Sequence, residues 1–174
     1  LGGCLGLGQR EAPDLPCKGV LGLHSVPAPG TRFRLGLLAG GRRGDYRDAI
    51  ALPAIIGEWG VDENMDALAK SDGIEVIVVG IDHGGDSRIA EQGPWTNPRY
   101  GASEGRQYLD FIVNTVKPFI DDKFRTRPGR EDTGIMGASL GALSSQYAIY
   151  EHPDVFSKAG LFSPAYDFSD EVYS

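Results

Sequence analysis

Three histidines and two cysteines in 174 residues leave little with which to hold a metal. Cys4 and Cys17 have no metal-ligand spacing and can form one disulfide at most, so they neither fix a redox compartment nor suggest a zinc site. No apolar run approaches the roughly 18 residues that would span a bilayer, so no transmembrane segment is expected. Basic residues are also in deficit, with 17 Lys and Arg against 24 Asp and Glu for a net charge of -7. That balance argues against a nucleic-acid partner, which is held by a basic surface that releases counterions. What remains, 41% apolar and 24% charged residues, describes one globular domain with a hydrophobic core.

The first residue is Leu1 rather than Met, so the start reads as incomplete. Leu1-Gly2-Gly3-Cys4 is compatible with the tail of a lipoprotein cleavage site, although the basic and apolar regions that precede such a site are not in view. The compartment stays open on this reading, with a lean towards the cytoplasm and neither secretion nor lipid anchoring excluded. Oligomeric state is not legible.

Residues 1–54 form an atypical segment, separate from residues 55–174. The first 44 hold eleven Gly and nine Leu but no Ile, Tyr, Trp, Met or Asn, and six basic against two acidic side chains. Gly-rich polar stretches recover little ordering entropy through burial, so a disordered extension, sequence of separate origin and an out-of-frame stretch of GC-rich codons all stay open. Leu35 to Leu38 is a candidate strand.

From Gly57 the punctuation is that of an α/β protein. Asp62 can cap a helix to about Lys70, which Ser71-Asp72-Gly73 ends. The β-branched run Ile74–Ile81 predicts a parallel strand buried on both faces. Residues 82 to about 107 read as a long polar loop. The apolar face Tyr108, Ile112, Val116, Phe119, Ile120 predicts a helix kinked or broken at Pro118. Thr133–Gly137 and Lys158–Phe162 read as strands, and Leu140–Glu151 as a helix that ends before His152-Pro153. This alternation predicts a parallel sheet with right-handed crossovers.

Gly137-Ala138-Ser139-Leu140-Gly141 lies where a strand meets a helix. The bare Gly-x-Ser-x-Gly pattern is weak evidence, but a nucleophile elbow needs that delivering strand, a sharp turn, small flanking residues and a helix directly afterwards, and each is present. Ser139 is therefore the expected nucleophile, with the helix N-terminus aimed where an oxyanion would form. The alternative is a Gly-rich turn with a capping serine.

A serine hydroxyl needs a base, and the histidines supply none in the expected order. His152 lies thirteen residues past Ser139, about 20 Å away at 1.5 Å per residue, at the far end of the intervening helix. His83 precedes the nucleophile and reads as a polar loop residue, and His24 lies in the atypical segment. The acid and histidine are thus expected beyond Ser174, and residues 1–174 alone are expected to be inactive. On the loop, Trp95 and Tyr100 can offer stacking faces or anchor the loop, and Arg88 can orient substrate or pair with Glu91.

The chain resembles the bacterial putative-esterase family, α/β-hydrolases related to esterase D and the enterobactin esterases. The resemblance runs from Gly57 to Phe168, through Trp59-Gly60-Val61-Asp62, Val76–Asp82, Tyr108–Val113, Lys117-Pro118-Phe119-Ile120-Asp121, the elbow, His152-Pro153-Asp154-Val155-Phe156 and Phe162-Ser163-Pro164-Ala165. It implies a three-layer α/β-hydrolase sandwich with a mostly parallel sheet, truncated at the C-terminus. It also implies hydrolysis of a small-molecule carboxylic ester without metal or organic cofactor, through an acyl-enzyme on Ser139 with the Leu140 N–H as one oxyanion donor. An acyltransferase would share these residues, and a non-catalytic binding module would keep the fold without a working triad. Family members carry an upstream apolar strand and loop that give the second oxyanion donor. Residues 1–54 show no convincing counterpart, Gly40-Gly41 and Gly44-Asp45-Tyr46 being the nearest candidates.

Overall fold

A computed structural model describes residues 20–21, 34–41, 61–74, 76–82 and 85–173. Its strands are β1 (Val20–Leu21), β2 (Arg34–Gly41), β3 (Val76–Asp82), β4 (Thr133–Ala138) and β5 (Lys158–Phe162). They form one sheet in the order β1-β3-β2-β4-β5, with β1 antiparallel to β3 and every other pairing parallel. The expected α/β architecture with a mostly parallel sheet is thus observed. The Leu35–Leu38 candidate is realised as β2, which lies between β3 and β4 and ties residues 34–41 into the same sheet as residues 133–162.

The helices are α1 (Val61–Asp72), α2 (Arg88–Gln92), α3 (Gly105–Phe111), α4 (Lys117–Lys123) and α5 (Leu140–Glu151). Asp62 falls inside the first turn of α1 rather than before it, and Gly73 follows the helix with a φ of +64°, a left-handed conformation that glycine adopts without a Cβ penalty. β3 starts at Val76, two residues later than the β-branched run suggests, leaving Ile74 37% exposed. Its burial also alternates: Ile77, Val79 and Ile81 are buried, whereas Val76 and Val78 are half-buried. The strand is therefore fully covered on one face only, because successive side chains point to opposite sides of the sheet.

Residues 82–107 are not a structureless loop. A 3₁₀ turn at Gly85–Ser87, α2, and a bridge between Asn97 and Gly101 occupy much of the stretch before α3 begins. The helix expected around Tyr108–Ile120 is interrupted, but upstream of Pro118. Ile112–Val116 is a π-helical turn in which the Lys117 N–H donates to the Ile112 carbonyl, five residues back. Pro118 has no N–H and its ring would crowd the carbonyl four residues earlier, so a widened turn lets α4 restart at the proline without breaking the rod.

The core forms between β3 and this rod. Ile77, Val79 and Ile81 meet Tyr108, Leu109, Ile112, Val116 and Ile120, with Ile135, Ala148 and Phe156 completing the cluster. Ile112 and Val116 are wholly inaccessible, and each side chain of that kind stabilises the fold by about 1.5–3 kcal/mol through burial. α5 packs on β4 and β5. Its buried face is largely small (Gly141, Ala142, Ser144, Ser145, Ala148), which lets the helix axis approach the strands closely.

Candidate active site

β4 delivers the chain to Ser139, and α5 starts at the next residue. Ser139 has φ 56° and ψ -118°, the first corner of a type II′ turn, a conformation that glycine dominates. A non-glycine residue there stores backbone strain, which persists only where the surroundings over-determine it.

Those surroundings are visible. The Ser139 N–H donates to the Phe162 carbonyl of β5 at 3.0 Å. Its carbonyl accepts from Ala142 at 3.1 Å, Leu143 at 3.2 Å and Ala165 at 3.4 Å. β5, the helix and the chain beyond β5 therefore hold the two peptide units that flank the Ser139 Cα. The sharpness of the bend also explains Gly137, since a Cβ there would lie 2.4 Å from the Gly141 carbonyl oxygen. Strand and helix backbones touch at that point, and only hydrogen fits between them.

Although it occupies the N-cap position, Ser139 makes no side-chain capping bond to α5. A serine placed for capping would accept from the second or third helical N–H, so the capping alternative lacks its characteristic contact. Ser139 is half-buried at the C-terminal edge of a parallel run of strands, the side on which such sheets bind ligands. The Leu140 N–H, first in α5, has no intrahelical acceptor and points with the positive end of the helix dipole.

Two further elements converge here. Leu38 pairs with Met136 and Ala39 with Gly137, so β2 comes to its end, Gly40-Gly41, at the level where β4 leads into the elbow. On the other flank, Ala138 pairs with Phe162, and the chain leaves β5 through Ser163, whose φ is 44°.

His152 is the C-cap of α5, its N–H donating to the Ala148 carbonyl at 2.9 Å, at the end of the helix opposite Ser139. It is the one histidine among the described residues, and among them Ser139 Oγ has no hydrogen-bonded base. His24, His83 and Gly44-Asp45-Tyr46 lie outside the described residues. Among the described residues no group of three or more His, Cys, Asp and Glu is placed to hold a metal, and no helix is long and apolar enough to cross a membrane.

The loop residues are all engaged with the protein. Trp95 meets Tyr147 of α5 edge to face at 5.9 Å. Tyr100 lies parallel on Phe168 at 6.2 Å, with the Arg99 guanidinium 5.3 Å from the Tyr100 ring centre, and remains 48% exposed. Arg88 Nε donates to Gln92 Oε1 at 3.3 Å, while Glu91 is buried. Tyr147 ionises above the usual tyrosine value of 10.0, first because burial disfavours the phenolate and second because Glu151 repels it.

Phe168 and Asn97 were not legible as site residues. Phe168 packs with Leu140 and Leu143 at the head of α5, and Asn97 Nδ2 donates to the Phe168 carbonyl. The available signal was Asn97-Pro98, a turn dipeptide, which announces a bend but not its partner.

Residues 52–173 match the family model described as Putative esterase. The chain is 32% identical over 100 residues to the uncharacterized protein YbbA of Bacillus subtilis, covering 53% of this chain and 38% of YbbA. Its fold resembles a CE1 ferulic acid esterase from Anaeromyces mucronatus, with a TM-score of 0.56 and 20% identity over 79% of this chain and 48% of the other. It also resembles the enterochelin esterase of Shigella flexneri, with a TM-score of 0.59 and 17% identity over 84% of this chain and 32% of that one. The chain spans less than half the length of each of these three proteins. With the elbow geometry and a family match over most of its length, the chain belongs to the putative-esterase family of α/β-hydrolases.

Proposed function

We propose that Ser139 is the nucleophile of a carboxylic-ester hydrolase. The observation that carries this reading is the strained backbone of Ser139, at φ 56° and ψ -118°, with its hydroxyl uncommitted to capping α5. Strain of this kind is retained where it presents a reactive group, and a strand-turn-helix serine does so for acyl transfer.

In the proposed cycle Ser139 Oγ attacks the ester carbonyl carbon and loses its proton to a base outside the described residues. The carbonyl oxygen becomes an oxyanion that accepts from the Leu140 N–H. Collapse expels the alcohol, which takes up that proton, and leaves an acyl group on Ser139. Water then repeats the attack and releases the acid. The second oxyanion donor is assigned to the backbone of Gly40-Gly41, since Ala39, just before them, pairs with Gly137, two residues ahead of Ser139. Histidine and acid are assigned to residues outside the described ones, since His152 lies at the far end of α5, away from Ser139.

Arg88, Trp95 and Tyr100 belong to the segment that leaves β3 on the ligand side, and we assign them to the substrate wall. Tyr100 is the member with the most surface left for a ligand, at 48% exposure. One of the named structures is a ferulic acid esterase bound to ferulic acid, an aromatic acid, and an aromatic wall would suit a substrate of that kind here. A fluorophosphonate probe tests the proposal. The full-length protein should label at Ser139, and Ser139→Ala should abolish labelling. Absence of labelling in the full-length protein would leave a non-catalytic binding module as the reading.

A further inference from the structure

We infer that Asn97 is a positioning residue for the nucleophile elbow, acting through the segment Ala165–Phe168. The inference rests on the reading of Ser139 as nucleophile.

Asn97 uses both ends of its amide. Oδ1 accepts from the Arg99 N–H at 2.8 Å and the Tyr100 N–H at 3.3 Å, which closes the loop on itself. Nδ2 reaches across 71 residues of sequence to the Phe168 carbonyl. From there the path is short. The Phe168 N–H donates to the Ala165 carbonyl at 2.9 Å, and the Ala165 N–H donates to the Ser139 carbonyl at 3.4 Å.

The Phe168 ring follows the same route by packing. It is 9% exposed, clusters with Leu140 and Leu143, and stacks parallel to Tyr100. Gly93 makes room for it, because a Cβ at that position would stand 2.6 Å from Phe168 Cζ. A bond from the loop therefore fixes the backbone of the residue whose ring backs Leu140, the proposed oxyanion donor. A donor must sit within a few tenths of an ångström of its working position, so slack in Phe168 passes to the reacting geometry without disturbing the main core between β3 and the α3–α4 rod.

Asn97→Asp separates this role from a folding role. The substitution is nearly isosteric and keeps the Oδ1 acceptor for Arg99 and Tyr100, but puts a carboxylate oxygen against the Phe168 carbonyl. In the full-length protein at neutral pH we expect the rate of fluorophosphonate labelling at Ser139, and kcat for an activated ester, to fall about tenfold or more. KM and the thermal midpoint should change little, and Asn97→Gln should recover none of the loss, because its longer side chain misplaces the donor. Amide hydrogen exchange at Ala142 and Leu143, which donate to the Ser139 carbonyl, should quicken in Asn97→Asp. Labelling of the variant at the wild-type rate would overturn the inference. If the wild-type protein itself does not label, the nucleophile reading falls, and unchanged exchange at those two amides would separately overturn the coupling.

Discussion

Ser139 and Ser163 occupy matching positions on neighbouring strands, each one residue beyond the paired Ala138 and Phe162 at the ends of β4 and β5. They are also the two non-glycine residues with positive φ among the described residues, at 56° and 44°. Strain is thus concentrated in one row across the sheet edge, and the N–H of Ser139 bonds to the residue just before Ser163. Backbone in such regions costs on the order of 1–3 kcal/mol per residue.

That cost can be recovered. Ser139→Gly should raise the urea midpoint while abolishing probe labelling, a gain in stability of about 1 kcal/mol at the expense of the reactive group. Ser163→Gly should also stabilise, with labelling retained. A Ser139→Gly protein no more stable than Ser139→Ala would mean the turn carries no strain.

Gly137 and Gly134 lie on the same strand and should respond very differently to alanine. At Gly137 a Cβ meets the backbone of Gly141 at 2.4 Å, whereas at Gly134 the nearest atoms are 3.5 Å away on Lys158. Gly137→Ala is expected to destabilise by about 2 kcal/mol or more, since backbone cannot step aside, and to remove labelling with it. Gly134→Ala should stay within about 1 kcal/mol of wild type. Chemical denaturation of the two variants checks the contrast.

A polar knot pins α4 to the turn that leads into β4. Lys117 Nζ lies 2.6 Å from Asp121 Oδ2 and donates to the Pro128 carbonyl at 2.9 Å, while Thr126 Oγ1 donates to Asp121 Oδ1 at 2.7 Å. Lys117 is 8% exposed and Asp121 is half-buried, so Lys117→Met leaves a partly buried carboxylate without its cation and should cost about 1–3 kcal/mol. The double variant Lys117→Met/Asp121→Leu should recover a large part of the loss. A double variant as unstable as the single would show that the penalty comes from packing rather than charge.

Tyr147 gives a pH dependence with a definite sign. Its folded-state pKa lies above the usual 10.0, so the unfolded chain releases this proton first and stability falls as pH rises past the unfolded value. Tyr147→Phe should therefore unfold less readily than wild type under alkaline conditions, with the difference absent at neutral pH. Equal alkaline midpoints for the two proteins would contradict the assignment.

Legibility in the sequence followed how local each cause was. α5 and β5 occupy the residues their patterns indicate, because an apolar run bounded by Ser139 and Pro153, or by Ser157 and Ser163, has its boundaries written beside it. The elbow was legible for the same reason. β2 was harder, since Arg34–Gly41 has little β-branched content and owes its place to strands on both sides rather than to its own composition. The π turn is set by Pro118 acting on the residues before it, so the sequence marks the cause and not the site of the effect. Asn97 and Phe168 were missed because their partnership spans 71 positions and leaves no periodic trace.

The position of β2 has a consequence for the order in which the chain is made. Leu35 pairs with Ile77 on one side and with Thr133 on the other, so one edge of this strand can close early and the second only after β4 has left the ribosome. For that interval a glycine- and leucine-rich strand waits with an open row of backbone donors and acceptors, which makes the nascent chain most exposed to mispairing just before its elbow exists.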